Sequence, residues 1–225
     1  CALPISKRLQ TLQKELSKAS SLRHLDLEIP PLSDQSEAEE AYNSISHILT
    51  DRNGSLVNLS LTFCSGTGLD EPKNYLRVFS AMGKNTRLVQ LCLSFKQNLR
   101  VTGHLLSSLY EEIGHLEDLR VLRVLISTVV ESKSLVDYPN IMKKAFKRMP
   151  FLREIELRGH LCLSENSFQI ILEAISACPA LFALILDFST DNFTQQAMCT
   201  LSQFRKDFNR LRSFGFKLRR VPKVD

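Results

Sequence analysis

A chain of 225 residues that is 44% hydrophobic and 24% charged carries enough apolar material for a sizeable core, which excludes a disordered polymer. Its net charge of +5 is mild and the charges are mixed along the chain, so composition does not mark a nucleic-acid-binding protein. No apolar run approaches the roughly 20 residues of a membrane-spanning helix.

In chain order, the first element is a helix with the stripe Leu9, Leu12, Leu16 and Ala19, followed by Leu22-Leu25-Leu27. Tyr42, Ile45 and Leu49 form the next stripe, with Asn53-Gly54 as its stop, before Leu56-Leu59-Leu61. Leu76, Phe79 and Met82 lead to Leu88-Leu91-Leu93, and Leu106, Leu109, Ile113 and Leu116 lead to Leu119-Leu122-Val124. Ile141, Ala145 and Met149 precede Pro150 and Leu152-Ile155-Leu157. Ile171, Ile175 and Cys178 precede Leu181-Leu184-Leu186, with Pro179 between them as a helix breaker. Leu201, Phe204 and Phe208 precede Leu211-Phe214-Phe216. The first positions of these seven motifs are 34, 32, 31, 33, 29 and 30 residues apart.

A step of this size marks a solenoid, in which each unit buries its apolar face only by stacking on its neighbours. Two leucines two apart point to one side of a strand, and the residues between them point to the other. Each unit therefore reads as helix, turn and short strand. The expected fold class is α/β, one solenoid domain over residues 1–225 with seven parallel strands, each preceded by a helix. Because the chain opens on Cys1 rather than methionine and without a leader-like stretch, it is expected to be a processed form or a piece of a larger protein.

The pattern resembles the leucine-rich-repeat family, in particular its intracellular long-repeat members of the ribonuclease-inhibitor-like, NOD-like-receptor, F-box and Ran-GTPase-activator types. The resemblance runs from about Leu9 to Phe216. It implies a curved solenoid, with the parallel sheet concave and the helices convex. The family places Asn or Cys eight residues after the first leucine, to satisfy loop backbone groups. Here those residues are Pro30, Cys64, Lys96, Ser127, His160, Ser189 and Arg219, so only Cys64 matches and irregular loops are expected.

Six cysteines, Cys1, Cys64, Cys92, Cys162, Cys178 and Cys199, are not clustered at the ends as in secreted relatives, so free thiols and a cytoplasmic setting are expected. Glycosylation triplets at Asn53, Asn58 and Asn192 point the other way, although Asn58 falls on a predicted strand. No catalytic, metal or cofactor pattern emerges. Glu111, Glu112 and His115, with His104 upstream, lack the paired histidines of a zinc protease. Gly66-Thr67-Gly68 lacks the ending of a phosphate loop, and Cys64 with His47 is not a motif. The basic stretch Arg205, Lys206, Arg210, Arg212, Lys217, Arg219, Arg220 and Lys223 suits a solvated terminal repeat.

The fold leaves free the residues that alternate with the strand leucines. Among these, Arg123, Glu154, Glu156 and Arg158 form the densest charged group, with Leu125, Ile185 and Asp187 beside them. Charge around exposed aliphatics resembles an interface with an apolar anchor and a polar rim. Other candidate surfaces are the helices and a long connection from Ile126 to Pro139. The expected function is non-enzymatic recognition of a protein partner. By resemblance this is a ligand-sensing arm, as in innate-immune sensors, or the substrate-recruiting arm of a ubiquitin ligase. The alternatives are a Ran-type GTPase activator and RNA binding through the basic C-terminal end. Nucleic acid is not the expected partner, and no membrane span is expected.

Overall fold

A computed structural model of the chain describes residues 4–18, 22–32, 34–51, 55–64, 72–96, 101–130, 138–161, 165–190, 199, 201–204 and 210–220. Among the described residues, six helices and seven strands follow in chain order: α1 (Ile5–Lys18), β1 (His24–Ile29), α2 (Gln35–Asp51), β2 (Asn58–Phe63), α3 (Pro72–Gly83), β3 (Gln90–Phe95), α4 (Gly103–Ile113), β4 (Val121–Val130), α5 (Tyr138–Lys147), β5 (Glu154–Leu161), α6 (Glu165–Ser176), β6 (Ala183–Thr190) and β7 (Ser213–Arg220). Helical residues 201–204 also precede β7. The strands form one sheet in the order β1-β2-β3-β4-β5-β6-β7, and every pairing is parallel. Each helix packs on the next, from α1 to α6. The chain thus coils one way, with helices lining one side of an open sheet. It is an α/β leucine-rich-repeat solenoid.

The motif leucines hold this stack together. Leu59, Leu91, Leu122, Ile155 and Leu184 pair in register, as do Leu61, Leu93, Val124, Leu157 and Leu186, and all are buried. A third inward row, seven residues after each first leucine, holds Ile29, Phe63, Phe95, Ile126 and Phe188, with Gly159 in the fifth unit. Phe63 and Phe95 stack with ring centroids 5.1 Å apart, and Tyr42, Tyr75 and Phe79 close around Phe63. Leu9, Leu12 and Leu16 of α1 are only half-buried, since among the described helices α1 packs on α2 alone. Ala19 and Phe208 of the predicted stripes lie outside the described residues, as do Asn53-Gly54 and Gly66-Thr67-Gly68.

The turn from helix to strand repeats as well. In the third to sixth units, the residue three before the first leucine donates its N–H back three residues and accepts from the leucine N–H. The pairs run Asn85→Met82 and Leu88→Asn85 (2.9 and 3.0 Å), Leu116→Ile113 and Leu119→Leu116 (2.9 and 3.1 Å), Met149→Phe146 and Leu152→Met149 (3.1 and 3.2 Å), and Cys178→Ile175 and Leu181→Cys178 (3.0 and 3.3 Å). This tight turn caps the helix and aims the leucine inward. Its central residue is buried and apolar in three units. In the third it is Asn85, fully buried, whose Nδ2 donates to Leu49 O at 3.1 Å and Ala81 O at 3.0 Å. Asn85 therefore ties off the ends of α2 and α3 together.

The expected connection from Ile126 to Pro139 is shorter than the sequence suggests. β4 runs on to Val130, pairing Val129 with His160 and Val130 with Leu161 after a register shift beyond Ile126. Pro139 already belongs to α5, where a proline in the first turn loses no helical hydrogen bond. The run Val129-Val130 favours strand over loop, and β5 offers it a partner.

Candidate protein-binding face

The sheet face turned away from the helices is built by alternation. β1 follows a strict exposed-buried pattern, and in β2 and β3 half-buried residues alternate with buried ones. Register then aligns the outward residues in three rows. The first runs His24, Asn58, Gln90, Val121, Glu154, Ala183, Ser213, and the second Asp26, Ser60, Cys92, Arg123, Glu156, Ile185, Gly215. The third runs Glu28, Thr62, Ser94, Leu125, Arg158, Asp187, Lys217.

Arg123, Glu154, Glu156 and Arg158 come together on β4 and β5. Glu156 pairs with Arg123 Nε at 3.4 Å and with Arg158 Nε at 2.5 Å, while Arg123 Nη2 lies 3.8 Å from Glu154 Oε2. The Glu156 side chain is only 16% exposed, against 42% for Arg123 and 50% for Arg158. One recessed carboxylate thus fixes two guanidinium groups that still face solvent. Leu125 pairs with Arg158 and Ile185 with Glu156, so both half-buried aliphatics flank the network. Asp187 shares the face but is 8% exposed, beside Arg158 and Lys217 in register. Its contribution there is to the floor of the face more than to its rim.

The early strands differ in chemistry. Asn58 Nδ2 and His24 Nδ1 lie 2.8 Å apart, at a shallow hollow of about 240 Å³ lined also by Leu25, Asp26, Leu59, Ser60 and Gln90. At the strand ends, Glu28 accepts from Lys96 Nζ at 2.6 Å and from Cys64 Sγ at 3.3 Å. Lys96 and then Cys64 hold the Glu28 carboxyl below its ordinary range. Burial, and next the Glu28 hydrogen bond, push the Cys64 thiol up. The Cys64 side chain is thus engaged by a carboxylate, in contrast to the loop-backbone role that the family pattern implies. His47 is exposed on α2, in the helical layer, while Cys64 lies just past the end of β2. Burial also pushes up the Cys92 thiol in the middle row. Cys64, Cys92, Cys178 and Cys199 are free thiols, and Cys1 and Cys162 lie outside the described residues.

No protein-family model matches the sequence, and no curated protein does. Among solved structures, the chain is similar to the tropomodulin C-terminal domain of Caenorhabditis elegans, with a TM-score of 0.50 over 75% of this chain and 94% of that one. The two share 12% sequence identity. The likeness is one of fold.

Glu111 and His115 are exposed on and just after α4, and His104 is exposed at its start. Among the described residues, no group of three or more His, Cys, Asp or Glu is placed to hold a metal ion. No helix among them is long and apolar enough to cross a membrane. Alternation missed one further row, the residues directly after each first leucine. There a single carbonyl accepts two successive amides: Arg153 and Glu154 donate to Arg120 O, Phe182 and Ala183 to Arg153 O, and Arg212 and Ser213 to Phe182 O. Two consecutive residues consequently sit outside the core before alternation begins. The bend is marked in sequence by the three-residue step between the first two positions of each motif, as from buried Leu181 to buried Leu184, where strict alternation would allow only an even step.

Proposed function

We propose that this chain is a non-enzymatic protein-recognition domain that engages its partner through the open sheet face. The observation that carries this reading is the Arg123–Glu156–Arg158 network, with Glu154 at its edge and Leu125 and Ile185 beside it, on a face that none of the described helices covers. Arginine presents a planar fork that binds carboxylates in two places, and here Glu156 pre-orders two of them. Leu125 and Ile185 supply the apolar contact that such charges orient, with Asp187 behind Arg158. In this proposal the domain is a single unit over residues 1–225, as its one continuous core supports. It acts as the ligand-sensing or substrate-recruiting arm of a larger cytoplasmic protein, of the kind used by innate-immune sensors and ubiquitin-ligase adaptors.

A photo-crosslinking side chain tests this at Leu125 and at Ile185, with Lys144 on the exposed side of α5 as the contrast. Discrete protein adducts from the first two positions, lost when Arg123 and Glu156 are both replaced by alanine, are expected. Adducts only from Lys144 would move the interface to the helices, and RNA adducts would replace a protein partner by nucleic acid. Stimulated GTP hydrolysis by a candidate GTPase would overturn the non-enzymatic reading.

A further inference from the structure

The two large hydrophobic side chains that stand exposed among the described residues, Phe151 at 53% and Phe182 at 36%, come from adjacent units at the same end of the solenoid. Phe151 lies in the turn before β5, and Phe182 follows the first leucine of the next unit. The Phe182 backbone is fixed, donating to Arg153 O at 2.9 Å and accepting from Arg212 N at 2.9 Å. Its neighbours on either side are therefore arginines, each about 4.8 Å away along the sheet. Arg153 and Arg212 are exposed, and among the described residues neither forms an ion pair. A third, Arg210, donates from Nη1 to Pro179 O at 3.1 Å and so hangs over the same edge. Between Arg210, Arg212 and Phe182 lies a hollow of about 330 Å³, floored by Pro179, Ala180 and Leu181, with Arg153 on the other side of Phe182.

A solvent-facing phenylalanine keeps its apolar ring in water, an unfavourable contact that burial against a partner's apolar residue would relieve, and here it stands beside a hollow and between two arginines without ion pairs. The nearby acidic pair, Glu117 and Asp118, belongs to the turn of the fourth unit, and Glu154 at the start of β5 lies 3.8 Å from Arg123, so among the described residues the charges beside Phe182 that lack an ion pair are those of Arg153 and Arg212. Charge complementarity selects the occupant. We infer that the strand-start edge of the fifth to seventh units, centred on Phe182 and the Pro179–Ala180 hollow, docks an acidic peptide segment of a protein partner that carries an aliphatic or aromatic residue. The apolar residue fills the hollow against Phe182, and carboxylates on either side take the forks of Arg153 and Arg212. This surface is separate from the network around Glu156, and it stands if that face proves to bind nothing.

The test is fluorescence anisotropy of a labelled peptide alternating glutamate and leucine, against its lysine-leucine counterpart, with the full chain at low and moderate salt. The glutamate peptide is expected to bind, and to weaken as salt rises, since the contacts are exposed ion pairs. Phe182→Ser, and separately Arg153→Glu with Arg212→Glu, should each weaken it at least about tenfold, because both anchor and forks are needed. Arg123→Ala with Glu156→Ala should leave it unchanged, which separates this edge from the open face. The charge-reversal pair is solvent-exposed, so it remains informative should Phe182→Ser lose stability. Equal binding of the two peptides, or full binding by the charge-reversed variant, overturns the inference. Tighter binding of a single-stranded RNA, abolished by the same variants, overturns it in favour of nucleic acid.

Discussion

Asn85 occupies a position that the fourth to sixth units fill with leucine, methionine and cysteine, and its amide makes a specific energetic claim. Its N–H turns to Met82 O, which leaves Ala81 O without the helical donor it would otherwise have. Asn85 Nδ2 supplies that donor and also serves Leu49 O, among the last carbonyls of α2. Asn85→Ala removes both bonds. At about 0.5–1.5 kcal/mol each, the loss should be about 1–3 kcal/mol. The lower half of that range is favoured, because Oδ1 is buried without a partner among the described residues and its removal relieves a standing cost. Asn85→Asp keeps the shape but offers a carboxylate to two carbonyl oxygens. It should cost about 3–5 kcal/mol, as for an uncompensated buried charge. Urea denaturation followed by circular dichroism gives both numbers. If Asp is tolerated as well as Ala, or if Ala costs under about 0.5 kcal/mol, the amide is not the tie between α2 and α3.

Three further outcomes can be checked alongside. Leu91→Ala, at a fully buried position between Leu59 and Leu122, should destabilise by about 2–5 kcal/mol; its outward neighbour Gln90→Ala should cost under about 0.5 kcal/mol, as read from denaturant midpoints. In the native protein at pH 8, Cys199 should be alkylated rapidly and Cys178, buried with its thiol pushed up to about 12, should resist until unfolding, as read by peptide mass spectrometry. Lys143 hydrogen-bonds Glu173 at 2.7 Å and holds its carboxyl below the ordinary 4.5. The native state therefore binds that proton more weakly than the unfolded chain, so the stabilisation is present above 4.5 and is lost as pH falls through the lowered native value. Because both groups are substantially exposed, Glu173→Gln should cost no more than about 0.5 kcal/mol near neutrality and nothing at acid pH.

Leucine spacing made most of the fold legible, because a parallel solenoid repeats one burial problem. Leu91 and Leu122 are inward for the same reason, and the step between motifs sets the register directly. What escaped were features set by neighbours rather than by pattern. Val129 and Val130 extend β4 only because His160 and Leu161 offer a ladder to join. The third inward row carries Ile, Phe and Gly in turn, so no single residue type announces it. Asn85 reads as a turn residue in sequence, and only the approach of α2 gives its amide a second carbonyl.

The candidate surfaces divide in the same way. Arg123, Glu154, Glu156 and Arg158 were legible as a group because strict alternation puts them on one face, and parallel register then brings opposite charges into contact. Phe182 and its arginines were not, since the same alternation counted back from Leu184 assigns position 182 to the core. The shared carbonyl at the start of each strand breaks that count: with Phe182 and Ala183 both bonded to Arg153 O, one residue is spent in the bend. The side chain that alternation would bury is thereby turned to solvent. Each unit of this solenoid thus has a fourth variable outward position, placed at the sheet edge by backbone geometry. In this chain that position carries arginine in the first, fourth, fifth and seventh units, valine in the second and third, and phenylalanine in the sixth. Among the described residues, only around the sixth do an exposed ring, arginines without ion pairs and a hollow coincide, which is why the acidic-peptide test belongs there.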